Sequence, residues 1–253
     1  VILAARPGMG KSAMAINMFA NMSKTQKAIF FSLEMSMCEI SERLFSNYTQ
    51  TNISDGFTDQ SINDLSENLA LSKGLAIVNN SRITIETLKR YIVDYKVKHA
   101  TIDVIFIDYL QLMSRPQKMS EYEFLSYLTR ELKLLAQEMK IVIVCLSQLN
   151  RANAMAREKR PVLSNLRGSG SIEQDADYVI FLYREAYYLQ EQGKHVPIEV
   201  DNVLEFTCAK ARSKSPFKIL YNCDLKHSKI TRLDGFKGTK YNQYVATNMS
   251  DEE

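Results

Sequence analysis

Val1-Ile2-Leu3-Ala4-Ala5-Arg6-Pro7-Gly8-Met9-Gly10-Lys11-Ser12 is the stretch that decides the fold of this chain. Apolar residues of strand type run into a turn rich in glycine and proline, and a helical pattern continues from Lys11 to about Met22. Strand, tight turn and helix in that order leave unpaired backbone amides at a helix N-terminus, where the helix dipole also favours an anion. The turn has the form of a phosphate-binding loop, GxxxxGK[ST], with Ala5 in place of the first glycine. In such a loop the amides of Gly8, Met9, Gly10, Lys11 and Ser12 face a β-phosphate, Lys11 spans the β- and γ-phosphates, and the Ser12 hydroxyl ligates magnesium. The plainer alternative is a glycine turn before an ordinary helix, with Lys11 in solvent.

Beyond this turn, apolar runs at Ala28–Ser32, Leu75–Asn79, Asp103–Ile107, Ile141–Ser147 and Tyr178–Tyr183 alternate with helical patterns. That alternation predicts right-handed βαβ units and a mainly parallel sheet covered on both faces, an α/β fold. Ser36-Met37-Cys38-Glu39 has the form of a capping box opening a second helix, Thr84 caps a stretch to about Lys98, and Glu121–Met139 is a long amphipathic helix. From Val203 the helical period disappears, and Val203–Ala209, Phe217–Cys223 and Lys229–Leu233 predict a terminal, partly antiparallel extension of the sheet. The acidic end Asp251-Glu252-Glu253 belongs to an expected mobile tail over residues 234–253, beyond a single domain spanning 1–233.

Three further residues fit the phosphate loop. Asp108 ends an apolar strand, as required of a carboxylate that holds magnesium through its hydration shell. Glu34 follows the strand Phe30-Phe31-Ser32, at the sheet edge where ligands of open α/β sheets bind, and can orient or deprotonate an attacking water. Gln148 ends the strand beginning at Ile141 and can contact a γ-phosphate. Beyond it, in the polar segment Asn150–Gly170, Arg151, Arg157, Lys159, Arg160 and Arg167 face only Glu158, followed by Gly168-Ser169-Gly170. A loop of this length is either solvated and disordered or functional, here as a grip on a phosphodiester backbone. Met113–Tyr122, with Arg115 and Lys118, is a weaker second loop of that kind. Lys210 and Arg212, at the end of a strand expected near the sheet's margin and joined by Lys214 and Lys218 with no intervening acid, either form a solvated strand end or reach the γ-phosphate of a neighbouring subunit.

Composition excludes several classes. With 45% hydrophobic and 24% charged residues over 253 positions, the chain has enough apolar material for a sizeable core and is neither collagen-like nor disordered. Its longest apolar stretches, such as Ile141–Leu146, fall well short of the ~18 residues of a membrane span. A net charge of +3 is too mild to announce a nucleic-acid partner, so local charge must decide that. Cys38, Cys145, Cys208 and Cys223 lack CxxC spacing, and His99, His195 and His227 form no ligand cluster, as expected of reduced thiols in a cytoplasmic protein. Opening directly on a core strand, the chain is expected to be part of a longer polypeptide.

Taken in order, these stretches are similar to a known family. ARPGMGKS at Ala5–Ser12, FSLEMS at Phe31–Ser36, FIDYLQLM at Phe106–Met113, LSQLNR at Leu146–Arg151, KRPVLSNLRGSGSIEQDAD at Lys159–Asp177, FLYREAYY at Phe181–Tyr188 and AKAR at Ala209–Arg212 resemble the C-terminal RecA-like ATPase domain of DnaB-type replicative DNA helicases. The resemblance implies a P-loop NTPase that uses ATP and magnesium, forms a homo-hexameric ring and moves 5′ to 3′ on single-stranded DNA, with a primase and a helicase loader as partners. It further implies that Lys11, Ser12 and Asp108 bind phosphate and metal, that Glu34 is the catalytic glutamate and that Gln148 senses the γ-phosphate. Lys210 and Arg212 would then act on the adjacent subunit's nucleotide, and Arg167, Gly168, Ser169 and Gly170 would line the DNA channel. Gly168 stands where the family usually has glutamate, and Gly8 where it often has serine, a change expected to be harmless. The family's N-terminal domain and linker are missing from this sequence. A recombination or repair ATPase of the RecA or RadA type is the rival reading.

Overall fold

The computed structural model describes residues 1–80, 82–116, 118–149, 159–166 and 169–250. In chain order its main elements are β1 (Ile2–Ala5), α1 (Lys11–Met22), β2 (Ala28–Ser32), α2 (Met37–Thr49), α3 (Asp59–Ala70), β3 (Leu75–Asn79), α4 (Ile85–His99), β4 (Val104–Asp108), α5 (Glu121–Met139), β5 (Val142–Gln148), α6 (Ser169–Asp175), β6 (Tyr178–Tyr183), α7 (Glu185–Glu191), β7 (Val203–Ala211), β8 (Phe217–Asp224), β9 (Lys229–Arg232) and α8 (Gly235–Ser250). The strands form one sheet in the order β3-β2-β4-β5-β1-β6-β7-β8-β9. Pairings from β3 through β6 are parallel and those from β6 to β9 antiparallel, as the loss of helical period after Val203 predicts.

Because side chains alternate across a strand, each central strand feeds two cores. Ala4, Ile29, Ile105, Ile107 and Ile143 meet Leu88 and Ile92 of α4 and Leu128, Leu132 and Leu135 of α5 on one face. Leu3, Phe30, Phe106, Val144 and Leu146 meet Ile16 and Phe19 of α1 and Ile40 and Leu44 of α2 on the other. There Phe19 packs edge-on against Phe30 and Phe106, with ring centroids 5.4 and 5.8 Å apart. The expected caps form: Ser36 and Glu39 make the reciprocal capping box of α2, and the Thr84 side chain accepts from the Thr87 amide.

Four expectations are corrected. Residues 235–250 are not a loose tail but the helix α8, whose Tyr241 is fully buried against Ala186, Val200 and Val203 and donates to Glu205 Oε1 at 2.7 Å. Ser169 and Gly170, read as part of a loop, open α6. Arg160 is not a loose cation for a nucleic-acid backbone, because its guanidinium is engaged by Glu205 at 3.0 Å and Glu185 at 3.4 Å. Finally, β7 lies inside the sheet rather than at its margin. Among the described residues no helix is long and apolar enough to cross a membrane.

Candidate nucleotide site

The parallel register brings the ends of four strands to one edge. Ala5 of β1 lies opposite Gln148 of β5, and Ser32 of β2 opposite Asp108 of β4. The loop after β1 turns over this edge into α1, and two left-handed glycines make the turn: Gly8 at φ 78° and Gly10 at φ 86°. Gly8 has a second constraint, since a Cβ there would stand 2.5 Å from Tyr187 Cε2. The serine common in the resembled family would clash there unless the Tyr187 ring moved, so the change to glycine fits the close approach of that ring.

The first intrahelical bond of α1 runs from the Met14 amide to the Gly10 carbonyl at 2.9 Å, which leaves the Lys11, Ser12 and Ala13 amides without a partner one turn back. Met9 departs from its expected role. Its amide donates to the Arg6 carbonyl at 3.3 Å and its side chain is buried in the core, so it holds the turn's shape rather than a phosphate.

Lys11 Nζ stands 3.6 Å from Asp108 Oδ1 and 4.3 Å from the centre of the Tyr109 ring. Ser12 Oγ donates to Asp108 Oδ2 at 3.0 Å. Asp108 is fully buried and its Oδ1 accepts no hydrogen bond. Burial moves both charges towards neutrality, lowering the Lys11 pKa against the opposing pull of Asp108 and Glu34, and raising that of Asp108 against Lys11. A buried carboxylate oxygen lacking a donor, next to a serine hydroxyl, suits a hydrated magnesium ion.

Around this centre lies a cavity of about 890 Å³, lined by the phosphate loop, Glu34, Gln148, Glu42, Arg43 and Ser46 of α2, residues 52–54, and Leu225, Lys226 and Ser228 of the β8–β9 turn. Glu34 is exposed and sits in the turn just past β2. The β8–β9 turn and Arg43 carry no motif in the sequence; only tertiary packing brings them here. Arg6, which donates to Tyr188 Oη at 2.9 Å, and Tyr187 also went unsignalled, although both tyrosines lie within the FLYREAYY stretch.

Lys210 and Arg212 stand elsewhere. Lys210 pairs with Val179, and Val179 with Ile2, so both cations lie at the edge of the sheet opposite the phosphate loop. There Lys210 Nζ donates to the Glu173 carbonyl, while Arg212 reaches the Gln174 carbonyl at 3.3 Å and Asp177 at 3.5 Å. They cannot serve their own chain's cavity. Arg115 and Lys118 are exposed; Arg151, Arg157, Arg167 and Gly168 lie outside the described residues.

A family model described as the DnaB-like helicase C terminal domain matches residues 1–228. The chain belongs to that family. It is 39% identical to the replicative DNA helicase DnaB of Helicobacter pylori over 196 residues, which cover 74% of this chain and 40% of that protein. It is 35% identical over 275 residues to the DnaB of Rickettsia bellii, covering 95% of this chain and 54% of that one. The chain thus spans about half the length of the curated relatives it matches. Among solved structures, a DnaB-like replicative helicase described with its interactions with primase aligns with a TM-score of 0.83 at 30% identity, covering 92% of this chain and 57% of that one. A second, described as an ATPase domain, gives 0.82 at 30% identity, covering 92% of this chain and 84% of that chain.

Proposed function

We propose that this chain is the motor domain of a replicative DNA helicase, which binds ATP with magnesium in the phosphate-loop cavity and hydrolyses it to drive movement on single-stranded DNA in the cytoplasm. The observation that carries the reading is the convergence of Lys11, Ser12, Asp108, Glu34 and Gln148 on one sheet edge, around a glycine turn that frees the first amides of α1. Family membership supports the helicase over the recombination ATPase.

Ser12 Oγ and the Asp108 carboxylate would hold magnesium, which when bound neutralises charge on the phosphates. Lys11 leaves Asp108 for the β- and γ-phosphates, a short swing for a four-carbon side chain. Glu34, free of the core and facing the cavity, orients a water and takes its proton as the γ-phosphoryl group is attacked. Gln148 contacts the γ-phosphate. Lys210 and Arg212 act on the nucleotide of the next subunit in a hexamer, a role in keeping with their distance from their own loop. The Arg167–Gly170 stretch contacts the DNA backbone, and primase and loader dock on the assembled ring.

The test uses the full-length protein on a forked duplex with a 5′ tail. Lys11→Ala should lose nucleotide binding, Glu34→Gln should bind ATP yet hydrolyse it at least about a hundredfold more slowly, and neither should unwind. Mixed oligomers of Lys11→Ala and Arg212→Ala subunits should regain hydrolysis at interfaces that join an intact loop to an intact finger. Wild-type protein without DNA-stimulated ATP hydrolysis would refute the proposal.

A further inference from the structure

Arg184 follows β6 directly and is 9% exposed. Its Nη1 donates to the Gly8 carbonyl at 3.4 Å, and its Nε is buried without a hydrogen-bond partner. No carboxylate among the described residues forms an ion pair with it, although the adjacent Glu185 is engaged by Tyr183 and Arg160. A guanidinium stays charged at any working pH, and taking it out of water is costly without an anion. Arg184 does not line the cavity, whereas Gly8, to which it is bonded, does. The cation is therefore stationed behind the phosphate loop, on the far side of the Gly8 peptide from the cavity.

We infer that Arg184 is a positioning residue for the nucleotide. It fixes the Gly8 peptide from the rear, and its charge is balanced only when the β- and γ-phosphates occupy the front of the loop. The inference rests on the nucleotide reading of this cavity and deepens it, because it assigns a phosphate-directed charge outside the GKS motif and Asp108. A purely structural arginine differs in a measurable way. Removing a structural arginine weakens the empty protein, whereas removing an uncompensated buried cation relieves a cost that the empty protein carries and weakens only the phosphate-bound form.

The experiment takes the 253-residue chain with Arg184→Met, which keeps bulk but not charge, and Arg184→Lys, which keeps charge. Calorimetric titrations with magnesium-ADP and with AMP are paired with thermal unfolding in the absence of nucleotide. Arg184→Met should bind ADP about tenfold to a hundredfold more weakly, the size expected of a unit charge acting across the loop at an effective dielectric of about 20. AMP, which lacks the β-phosphate, should lose far less, so the ADP-to-AMP affinity ratio falls. The unfolding midpoint without nucleotide should hold or rise, and Arg184→Lys should recover most of the ADP affinity. An unchanged ADP-to-AMP ratio overturns the inference, as does a variant that unfolds earlier than wild type without nucleotide or fails to fold. Wild-type protein that binds no ADP would remove the nucleotide reading and this inference together.

Discussion

Asn17 and Asn47 hold the β8–β9 turn against the helices that flank the phosphate loop, and replacing each by alanine should have unequal consequences. Asn17 is buried in α1. Its Nδ2 donates to the carbonyls of Ala13 and Ser228, while its Oδ1 accepts from Ile230 N–H at 3.0 Å and Asn47 Nδ2 at 2.9 Å. Asn47, buried in α2, donates also to the Ser228 carbonyl at 2.8 Å. Asn17→Ala strips the Ile230 amide of its acceptor, at about 1–3 kcal/mol for a buried orphan. With the other lost contacts the cost should reach about 2–4 kcal/mol. Asn47→Ala orphans neither backbone group, since Asn17 still serves both Ser228 and Ile230, and should cost about 1–2 kcal/mol. The double variant should cost less than the sum, because the two side chains share partners. Urea unfolding of the three variants gives the values. Leu225, Lys226 and Ser228 line the cavity, so ADP affinity should also fall in the asparagine variants and not in Ile92→Val, a truncation in the opposite core that costs about 0.5–1.5 kcal/mol. Equal destabilisation by the two single variants, or less than about 1 kcal/mol for Asn17→Ala, would refute the reasoning, since the Ile230 amide would then have another acceptor.

Two further outcomes concern α8 and the far edge of the sheet. Tyr241→Phe removes the buried hydroxyl that donates to Glu205; it should cost about 1.5–3 kcal/mol and speed amide exchange across α8, and unaltered exchange would leave apolar contacts as all that secures the helix. Burial alone would raise the Asp177 pKa, but the Lys133 hydrogen bond and the charges of Lys133 and Arg212 outweigh it and hold it below the ordinary aspartate value. The stabilisation is therefore complete above about pH 4 and fades as the pH falls through the lower folded value. The stability gap between wild type and Lys133→Met should narrow on going from about pH 6 to about pH 3, and a gap independent of pH would contradict the pairing.

Features that depend on neighbours along the chain were legible in the sequence itself. The strand-turn-helix order around Gly8–Ser12, the apolar runs of β1 to β6 and the Ser36–Glu39 and Thr84 caps rest on alternation, backbone freedom and bonds spanning three or four residues. Each is dictated locally, so each could be read locally. The sheet edge as the meeting place of Asp108, Gln148 and Glu34 also followed, because parallel strands joined by right-handed crossovers end on one side. Tertiary structure alone decided the rest. Met9 carries no mark distinguishing an amide that faces a phosphate from one taken by Arg6. Nothing local showed that Arg160 would be claimed by Glu205, 45 residues later, or that the polar segment 234–250 would bury Tyr241 on that same carboxylate. Lys210 and Arg212 could be recognised as cations without acids, but their place opposite the loop follows from β7 running antiparallel to β6. Pairing direction and burial are set by contacts between residues far apart in the chain, and it is those contacts that turned Arg184 from one letter of FLYREAYY into a charge behind the phosphate loop.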